Sequence, residues 1–404
     1  MRAVFINHCH PKIDHVCGLR ADRFAQAMAV NGHKIVLLTQ TLHENDDSFP
    51  TEELEDRLAR HDWRQPFQVS CPPRGNFAAI RARQGKIVSG FRHLVILWSF
   101  IRYGGMFPDW QAGATPYLAS LAKAFKPEVV WGTFGNTDTW RLCQKLATLS
   151  HCHWVGDFKD NWLKSIPTGL KKLIAGNFKD LAAMTVFSIN HRDQADITFP
   201  KMQKKVLYSG IDMFDRLPML ENSKDLKLVL TGSIYYQDKL KSLLRAVQMW
   251  AQNHPNKNVL VHYAGNDGKL VQICAEQLSY EVKIEGFLKT AELQHLQSNA
   301  AANLYIYNPR CLLHHKTLEL IAHRRPVVAF PEETLEAKHL AEEAGCTLIT
   351  CEKAEALVDT LDIITDTPPE PSKTKELASF SWQERVQVLE TVLKQVSPKA
   401  LQHP

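Results

Sequence analysis

The chain has 404 residues, of which 45% are hydrophobic and 23% charged, and its formal net charge is only +5. This composition excludes a disordered or fibrous protein, the length favours two domains, and the weak charge does not support nucleic-acid binding. The nine cysteines lack CxxC spacing and predict reduced, buried thiols. No apolar run reaches the ~18 residues of a membrane span, and the N-terminus lacks a signal-peptide pattern. We therefore expect a cytoplasmic protein, at most attached peripherally to the inner face of a membrane.

Short apolar runs alternate with helical patterns in the first half of the chain, which is typical of a parallel sheet wrapped by helices. A helix predicted over residues 18–31 follows the first strand and ends at Gly32. Each predicted strand lies about one helix away from the next, as right-handed crossovers require. The predicted strands are residues 2–7, 34–39, 128–131, 153–157, 185–188 and 205–208.

A second series of strands begins after a polar stretch that contains Pro218. Two consecutive sets of parallel strands predict two doubly wound, Rossmann-like domains. We assign residues 1–212 to an N-terminal domain, 213–375 to a C-terminal domain and 376–404 to a closing segment with an amphipathic helix over 382–396. The strands predicted for the second domain are residues 226–230, 259–263, 282–284, 303–307 and 326–330.

The segment 40–115 has the least regular pattern, and its residues 81–103 combine basic and apolar side chains. One interpretation is an amphipathic helix that covers the first sheet. The other is an interfacial helix whose basic side chains meet anionic lipid while its apolar side chains enter the headgroup boundary. The basic residues concerned are Arg81, Arg83, Lys86, Arg92 and Arg102.

Short motifs follow one another in a recognisable order over nearly the whole chain. They are GLRADRF at 18–24, KPEVV at 126–130, DFKDNW at 157–162, SGID at 209–212, KTLE at 316–319 with RRPVVA at 324–329, and FSW at 380–382. The series resembles glycosyltransferase family 4, with Lys159 and Ser209 where arginine and asparagine are usual. This resemblance implies a GT-B fold, in which two Rossmann-like domains face a cleft and a C-terminal helix crosses back to the first domain.

The segment after the predicted strand 303–307 is the strongest candidate for a donor site. A helix is predicted to start near Leu312, and its N-terminal N–H groups suit a diphosphate. Lys316 and Glu319 are three residues apart and share one face of this helix. The resemblance implies that Lys316 meets phosphate and Glu319 accepts the ribose hydroxyls, with Thr317 beside them. The competing interpretation is a solvated ion pair between the two.

Other donor contacts are expected at turns and in the loop that follows the first strand. Two departures from the family pattern are Cys311, where a glutamate is frequent, and Ser233, where an arginine is usual. Either the chain does without the first of these contacts, or Arg310 or Asn308 supplies it, and Lys239 or Lys241 is expected to supply the second. The remaining predicted donor residues are Gly18, Gly232, Phe287 and Leu288.

The acceptor side is predicted on the first domain. Asp157 and Asp160 end a strand, and two neighbouring carboxylates can divide acid and base roles, although an aspartate at this place also commonly caps a helix. His10 is the further acceptor-side residue, and the nearby His8 and His15 lack a recognisable metal-ligand spacing. We predict no metal and no cofactor, and catalysis by Asp160, Lys316 and Glu319.

The sequence thus predicts a metal-independent, retaining glycosyltransferase that uses a nucleotide-diphosphate sugar. Its acceptor is expected to be a saccharide or lipid-linked saccharide of cell-envelope or capsular polysaccharide synthesis, with an anionic membrane surface as a further partner. Two alternatives stay open. They are a sugar-nucleotide epimerase of related fold and an inactive nucleotide-sugar-binding partner subunit.

Overall fold

The computed structural model describes residues 1–13, 16–42, 48–212, 225–366 and 377–397. The chain forms two compact units. The first unit contains Met1–Ser209 and the segment from Trp382 onward, and the second unit contains Gly210–Ser381. The division after Ser209 lies three residues before the predicted boundary at 212, and the predicted closing segment 376–404 is shared between the two units.

The first unit is built on a seven-stranded parallel sheet with the order β3-β2-β1-β4-β5-β6-β7. Nearly every residue of its central strands is buried, as expected for a parallel sheet covered on both faces. The strand β3 lies inside the segment 40–115, where no strand was predicted. The strands are β1 (Arg2–Ile6), β2 (Lys34–Gln40), β3 (Phe67–Cys71), β4 (Val129–Thr133), β5 (His153–Phe158), β6 (Ala183–Val186) and β7 (Lys204–Val206).

Nine helices precede the second unit in the described part of the chain. Several begin at the carboxyl edge of the sheet with a polar cap: Asn136, Asn161 and Ser188 each accept a backbone N–H in the first helical turn. The helices are α1 (Val16–Val30), α2 (Leu54–Arg60), α3 (Ala78–Arg83), α4 (Ser89–Tyr103), α5 (Pro108–Ala124), α6 (Thr137–Ser150), α7 (Trp162–Ser165), α8 (Lys171–Gly176) and α9 (Ile189–Thr198).

The second unit is built on a six-stranded parallel sheet with the order β10-β9-β8-β11-β12-β13. The three-residue edge strand β13 is half-buried and was not predicted. The strands are β8 (Asp225–Thr231), β9 (Asn258–Ala264), β10 (Glu281–Gly286), β11 (Ala302–Ile306), β12 (Val327–Phe330) and β13 (Leu348–Thr350). Its helices are α10 (Gln237–Asn253), α11 (Gly268–Ala275), α12 (Thr290–Ser298), α13 (His315–Ala322), α14 (Leu335–Glu343) and α15 (Ala354–Asp366).

The last helix, α16 (Trp382–Val396), packs in the first unit. Its apolar face joins the core formed by α1 and the sheet, and the rings of Trp382 and Phe24 lie 5.2 Å apart. On the polar side, Glu390 accepts a hydrogen bond from Asn31 and lies 3.0 Å from the His33 ring. The chain therefore returns to its first unit, and the predicted helix over 382–396 has the bounds observed. No helix among the described residues combines the length and apolarity needed to cross a bilayer.

Candidate functional site

The strand order of the second sheet reverses between β8 and β11. The connections that follow these two strands leave the carboxyl edge in opposite directions, and open α/β sheets bind ligands at such switch points. Gly232 follows β8, and the loop 307–314 joins β11 to α13. The predicted donor helix thus begins at the place where the topology favours a ligand.

Lys316, in the first turn of α13, reaches across this switch point. Its Nζ donates a hydrogen bond to the carbonyl oxygen of Thr231, the last residue of β8. Gly232 has a φ of +88°, and a Cβ placed on it would collide with Nζ. The left-handed backbone therefore favours glycine here, and any side chain at this position would displace the flexible lysine ammonium.

The ammonium of Lys316 is poorly compensated. Burial lowers the pKa of Lys316 to about 8, although the nearby Glu319 and Cys311 act in the opposite direction. No carboxylate among the described residues forms an ion pair with it, and its hydrogen bond goes to a neutral carbonyl. Binding of an anion would stabilise such a desolvated cation.

Glu319 lies one turn further along α13 with 49% of its side chain exposed, and its Oε1 is 3.2 Å from His315 Nδ1. Burial disfavours its ionised form, but the hydrogen bond from His315 and the nearby charges of His315, Lys316 and His323 leave its pKa below the usual value. Glu319 is therefore an ionised, accessible acceptor next to the Lys316 ammonium. The predicted solvated Lys316–Glu319 ion pair is not formed.

The loop before α13 is ordered by its own polar groups. The backbone N–H of Asn308 donates to His314 Nε2 at 3.0 Å, and the N–H of Arg310 donates to Asn308 Oδ1 at 3.0 Å. Burial and the charge of Lys316 lower the pKa of His314 to about 4, so this ring is neutral with its proton on Nδ1. His314 makes no side-chain capping bond at the start of α13, and the N–H of Thr317 donates to the carbonyl oxygen of His314 at 3.2 Å. Arg310, in the same loop, has an exposed side chain.

Thr317 faces away from this site. Its side chain is completely buried, and its hydroxyl donates to Tyr305 Oη at 3.2 Å and lies 3.4 Å from Glu333. Tyr305 in turn donates to Glu333, and burial raises the pKa of Glu333 to about 7. Thr317 therefore supports the base of α13 and offers no exposed side-chain atom for the predicted donor contact. Sequence reasoning missed Glu333, since nothing in its local pattern separates it from the neighbouring Glu332.

The turns that follow β8, β9 and β10 are tied together. Tyr263 Oη donates to the carbonyl of Gly232 at 2.8 Å, and the N–H of Gly265 donates to the carbonyl of Gly286 at 2.9 Å. Among the other predicted donor residues, Ser233 is exposed, Phe287 is 59% exposed and Leu288 packs beside the small core that contains Val229, Ala264, Leu296 and Ala300. Lys239 lies near the start of α10, 3.9 Å from Asp238.

A substitution at Gly232 tests the close approach of Lys316. We expect Gly232→Ala to displace the ammonium and to weaken nucleotide binding at least tenfold, or about 1.4 kcal/mol. Gly32→Ala is the matched control, because Gly32 has a φ of +82° but its added Cβ would meet nothing within 4 Å. Both variants have backbone strain, and only the first alters the site. Equal nucleotide affinities, measured by calorimetry, would contradict the assignment.

In the first unit, Gly18 and His10 are packed together. Gly18 lies in the first turn of α1, and a Cβ on it would be 2.6 Å from the carbonyl oxygen of His10. His10 is completely buried, with Nε2 2.6 Å from Gln68 Nε2 and Nδ1 accepting the N–H of Lys12. Close packing explains this glycine. Because its side chain is completely buried, His10 cannot contact an acceptor as predicted.

Asp157 has a structural role in place of the predicted acceptor contact. It is completely buried in β5, and its two oxygens accept hydrogen bonds from Arg20 Nε and Nη2, each at 2.9 Å. Thr185 donates to the same carboxylate at 2.7 Å, and Arg20 also donates to Ser209 and to the carbonyl of Leu207. The network leaves no carboxylate surface for a ligand.

Asp160, three residues later, keeps 36% of its side chain exposed. Its Oδ1 accepts a hydrogen bond from Lys159 Nζ at 3.2 Å, and the same ammonium donates to Cys17 Sγ at 2.9 Å. Burial disfavours the charged form of Lys159, but Asp160 and Cys17 outweigh it and raise its pKa. Asp160 is thus the predicted acceptor-side carboxylate that the first unit leaves accessible.

The histidines near β1 do not form a metal site in the described structure. His8 packs between the rings of Phe107 and Trp110, and its pKa is lowered to about 4, chiefly by burial. His15 lies outside the described residues. In the part of the chain that the structure describes, no three His, Cys, Asp or Glu side chains are placed to hold a metal ion.

Solved structures share this fold, whereas neither a protein-family profile nor a curated protein sequence matches the chain. It is similar to HepE of Anabaena in complex with UDP, with a TM-score of 0.62 and 14% identity over 98% of this chain and 100% of that chain. It is also similar to a glycosyltransferase from Rickettsia africae ESF-5, with a TM-score of 0.59 and 11% identity over 98% of both chains. A third is UDP-GlcNAc 2-epimerase from Neisseria meningitidis bound to UDP-GlcNAc, with a TM-score of 0.51 and 11% identity over 98% of this chain and 100% of that chain.

These likenesses define the fold. The two parallel, doubly wound sheets have the GT-B architecture, so the predicted fold class is confirmed. The same fold holds both a glycosyltransferase and an epimerase, and a fold does not decide between such activities. Membership of glycosyltransferase family 4 in particular stays a prediction.

Proposed function

We propose that the chain is a retaining glycosyltransferase that moves a sugar from a nucleotide-diphosphate sugar to a saccharide or lipid-linked saccharide in cell-envelope or capsular polysaccharide synthesis. The main support is the Lys316 ammonium, which is partly buried at a switch point against Gly232 and has no carboxylate ion-pair partner among the described residues. A diphosphate supplies the missing negative charge, and the uncapped start of α13 supplies N–H donors.

In this proposal, each polar group has one task. Lys316 and the N-terminus of α13 stabilise the charge that develops on the departing nucleoside diphosphate. Glu319 accepts the two ribose hydroxyls, for which an ionised and exposed carboxylate is suited. The leaving diphosphate takes the proton of the acceptor hydroxyl, so a strong general base is not required. The acceptor lies at the carboxyl edge of the first sheet, where 36% of the Asp160 side chain is exposed.

The second candidate is a sugar-nucleotide epimerase, because an epimerase has a similar fold over nearly its whole length. We favour the transferase because, in the described first unit, Asp157 and His10 are both buried and engaged. An epimerase that removes and returns a proton needs accessible acid and base groups in addition to those that hold the nucleotide.

Incubation with a panel of nucleotide sugars, with and without saccharide acceptors, tests the proposal. A transferase releases nucleoside diphosphate and keeps the anomeric configuration of the transferred sugar, both visible by NMR. An epimerase changes a ring configuration while the nucleotide sugar stays intact, and an inactive subunit binds without turnover. Epimer formation or binding without turnover would contradict the transferase proposal.

We expect Glu319→Ala to abolish transfer and to weaken nucleotide-sugar binding by about 2 kcal/mol, the scale of a charge-assisted hydrogen bond. The fold should be unaffected, because half of the side chain is exposed. Calorimetry measures the affinity and thermal unfolding measures the stability. Glu342→Ala, at an exposed glutamate of α14, is the control. Parent-like nucleotide affinity in Glu319→Ala would show that the donor assignment is wrong.

Metal independence is a separate prediction. Lys316 and the α13 N-terminus are positioned to do the charge neutralisation that Mg²⁺ or Mn²⁺ performs in other transferases. We expect transfer rates to be the same in EDTA and in magnesium. Loss of activity in EDTA with recovery on adding magnesium or manganese would contradict the prediction.

A further inference from the structure

The helix α4 presents a continuous apolar face to solvent. Phe91 is 69% exposed, Leu94 62% and Ile101 61%. Their three- and four-residue spacing, shared with Trp98, places them along one side of a helix about 22 Å long. Val88 and Leu97 extend the same exposed surface. Contiguous apolar patches of this kind mark interaction sites on soluble proteins.

This face is exposed because other contacts hold α4 in place. Phe100 is buried in the core of the first unit, Ile96 packs against that core, and Ser99 Oγ donates to the carbonyl of Gly105 at 2.6 Å. Arg92 Nε donates to the carbonyl of Ala82 at 3.0 Å, which joins α4 to α3. The predicted covering role thus describes one face of α4, whereas the opposite face is exposed.

The charge around this face has one sign. Residues 63–108 contain seven arginines and lysines and no aspartate or glutamate, whereas the whole chain has a net charge of only +5. Arg81, Lys86, Arg92 and Arg102 are exposed. Arg83 is excluded from this set, because it forms an ion pair with Asp109 at 2.7 Å and anchors α3 to α5.

We propose that the docking surface, made of the exposed side chains of residues 81–102, lies on an anionic phospholipid bilayer. An apolar ridge flanked by cations and free of acids matches the boundary between acyl chains and anionic headgroups. Trp98, half-exposed on the ridge, is of the type that favours this boundary. The helix is too short and too charged to cross the bilayer, so it lies in the plane of the interface.

The docking surface adjoins the predicted acceptor side. From α4 the chain runs through Gly104 and Gly105 to Phe107, whose ring lies 4.0 Å from the ring of His8 just after β1. A lipid-linked acceptor at the bilayer would thus meet the edge of the first sheet at which Asp160 is exposed. This consequence rests on the proposed function, whereas the docking itself does not.

Flotation with vesicles tests the docking without any substrate. We expect the protein to float with phosphatidylcholine vesicles that contain about 30% phosphatidylglycerol, and to bind less in about 500 mM salt, because screening weakens surface charge. Vesicles of phosphatidylcholine alone should bind at least tenfold more weakly. Equal binding to both kinds of vesicle, or no binding at low salt, would overturn the proposal.

Variants locate the contact. Arg81→Gln/Lys86→Gln/Arg102→Gln should lower vesicle binding about hundredfold, at roughly fivefold for each cation. Lys172→Gln/Lys179→Gln/Lys201→Gln, at exposed lysines elsewhere in the first unit, should leave it unchanged. Phe91→Ser/Leu94→Ser should also abolish binding, with Leu173→Ser/Ile197→Ser as the control at exposed apolar sites. Thermal unfolding checks that each variant is folded, and equal losses in test and control variants would overturn the location.

Trp98 provides a direct probe, because it is the exposed tryptophan among the nine. Brominated lipid in the anionic vesicles should quench part of the fluorescence of the parent protein. Trp98→Phe should still float but lose this quenching. The alternative occupant is a second copy of this chain. Sedimentation would then show a concentration-dependent dimer that Phe91→Ser/Leu94→Ser abolishes, and the vesicles would cause no quenching. That combination of results would overturn the proposal.

Discussion

Replacement of Lys316 by methionine is expected to weaken nucleotide-sugar binding by about 3 kcal/mol, a factor of roughly 150. Methionine has nearly the same length and volume but no charge, so the change removes the ammonium with little effect on packing beside Gly232. Calorimetry with the nucleotide found in the panel measures the affinity. Lys353→Met, at an exposed lysine just before α15, is the control and should bind within twofold of the parent.

The same variant should stabilise the free protein. Burial lowers the pKa of Lys316 to about 8, so the folded state holds this proton less tightly than the unfolded chain, whose lysines have the usual pKa near 10.5. Removing the charge therefore relieves a cost of folding at neutral pH. We expect a higher thermal unfolding midpoint for Lys316→Met than for the parent. Combined losses of stability and of affinity would mean that Lys316 is a structural residue.

The pH dependence has a defined sign. Phosphate binding requires the charged lysine, and above about pH 8 the free protein loses this proton. Nucleotide affinity should then fall by up to tenfold per pH unit. The free energy of unfolding should instead rise with pH. Between pH 8 and the pKa of a lysine in the unfolded chain, the unfolded state binds more protons than the folded state. Lys316→Met should show neither dependence.

Local sequence patterns predicted the central strands well. The runs that form β1, β2, β8 and β11 are mainly apolar, and burial on both faces of the sheet favours that pattern. The strand β13 has only three half-buried residues, and β3 lies in a segment rich in proline. Both strands lie at the edge of a sheet, where pairing with one neighbour and burial decide strand formation more than the strand's own residues do.

The sequence could predict the candidate site only where the residues that form it lie close together along the chain. Lys316 and Glu319 lie on one helix after a strand, so their spacing contains most of the geometry. His10 and Asp157 look equally polar in the sequence, but their burial depends on Gln68 and Arg20, which are 58 and 137 residues away. The role of Thr317 likewise depends on Glu333 in a different connection. Contacts between residues so far apart in the sequence cannot be predicted from the spacing within a short motif.

Asp157→Ala is expected to destabilise the protein by about 3–5 kcal/mol, because it leaves the guanidinium of Arg20 buried without its partner. The side chains of both residues are completely buried, and Thr185 loses an acceptor at the same time. Urea unfolding followed by circular dichroism measures the loss. Asp193→Ala is the matched control: Asp193 also pairs with an arginine, at 3.3 Å, but 62% of its side chain is exposed. The control should change the free energy of unfolding by less than about 1 kcal/mol.

A double variant separates a structural from a functional role. Arg20→Met/Asp157→Leu replaces the buried ion pair by apolar groups of similar volume and should recover much of the lost stability. In this double variant we expect nucleotide affinity and transfer close to the parent values, because neither residue presents an exposed atom to a ligand. A double variant that folds as stably as the parent but no longer transfers sugar would restore Asp157 to the acceptor side.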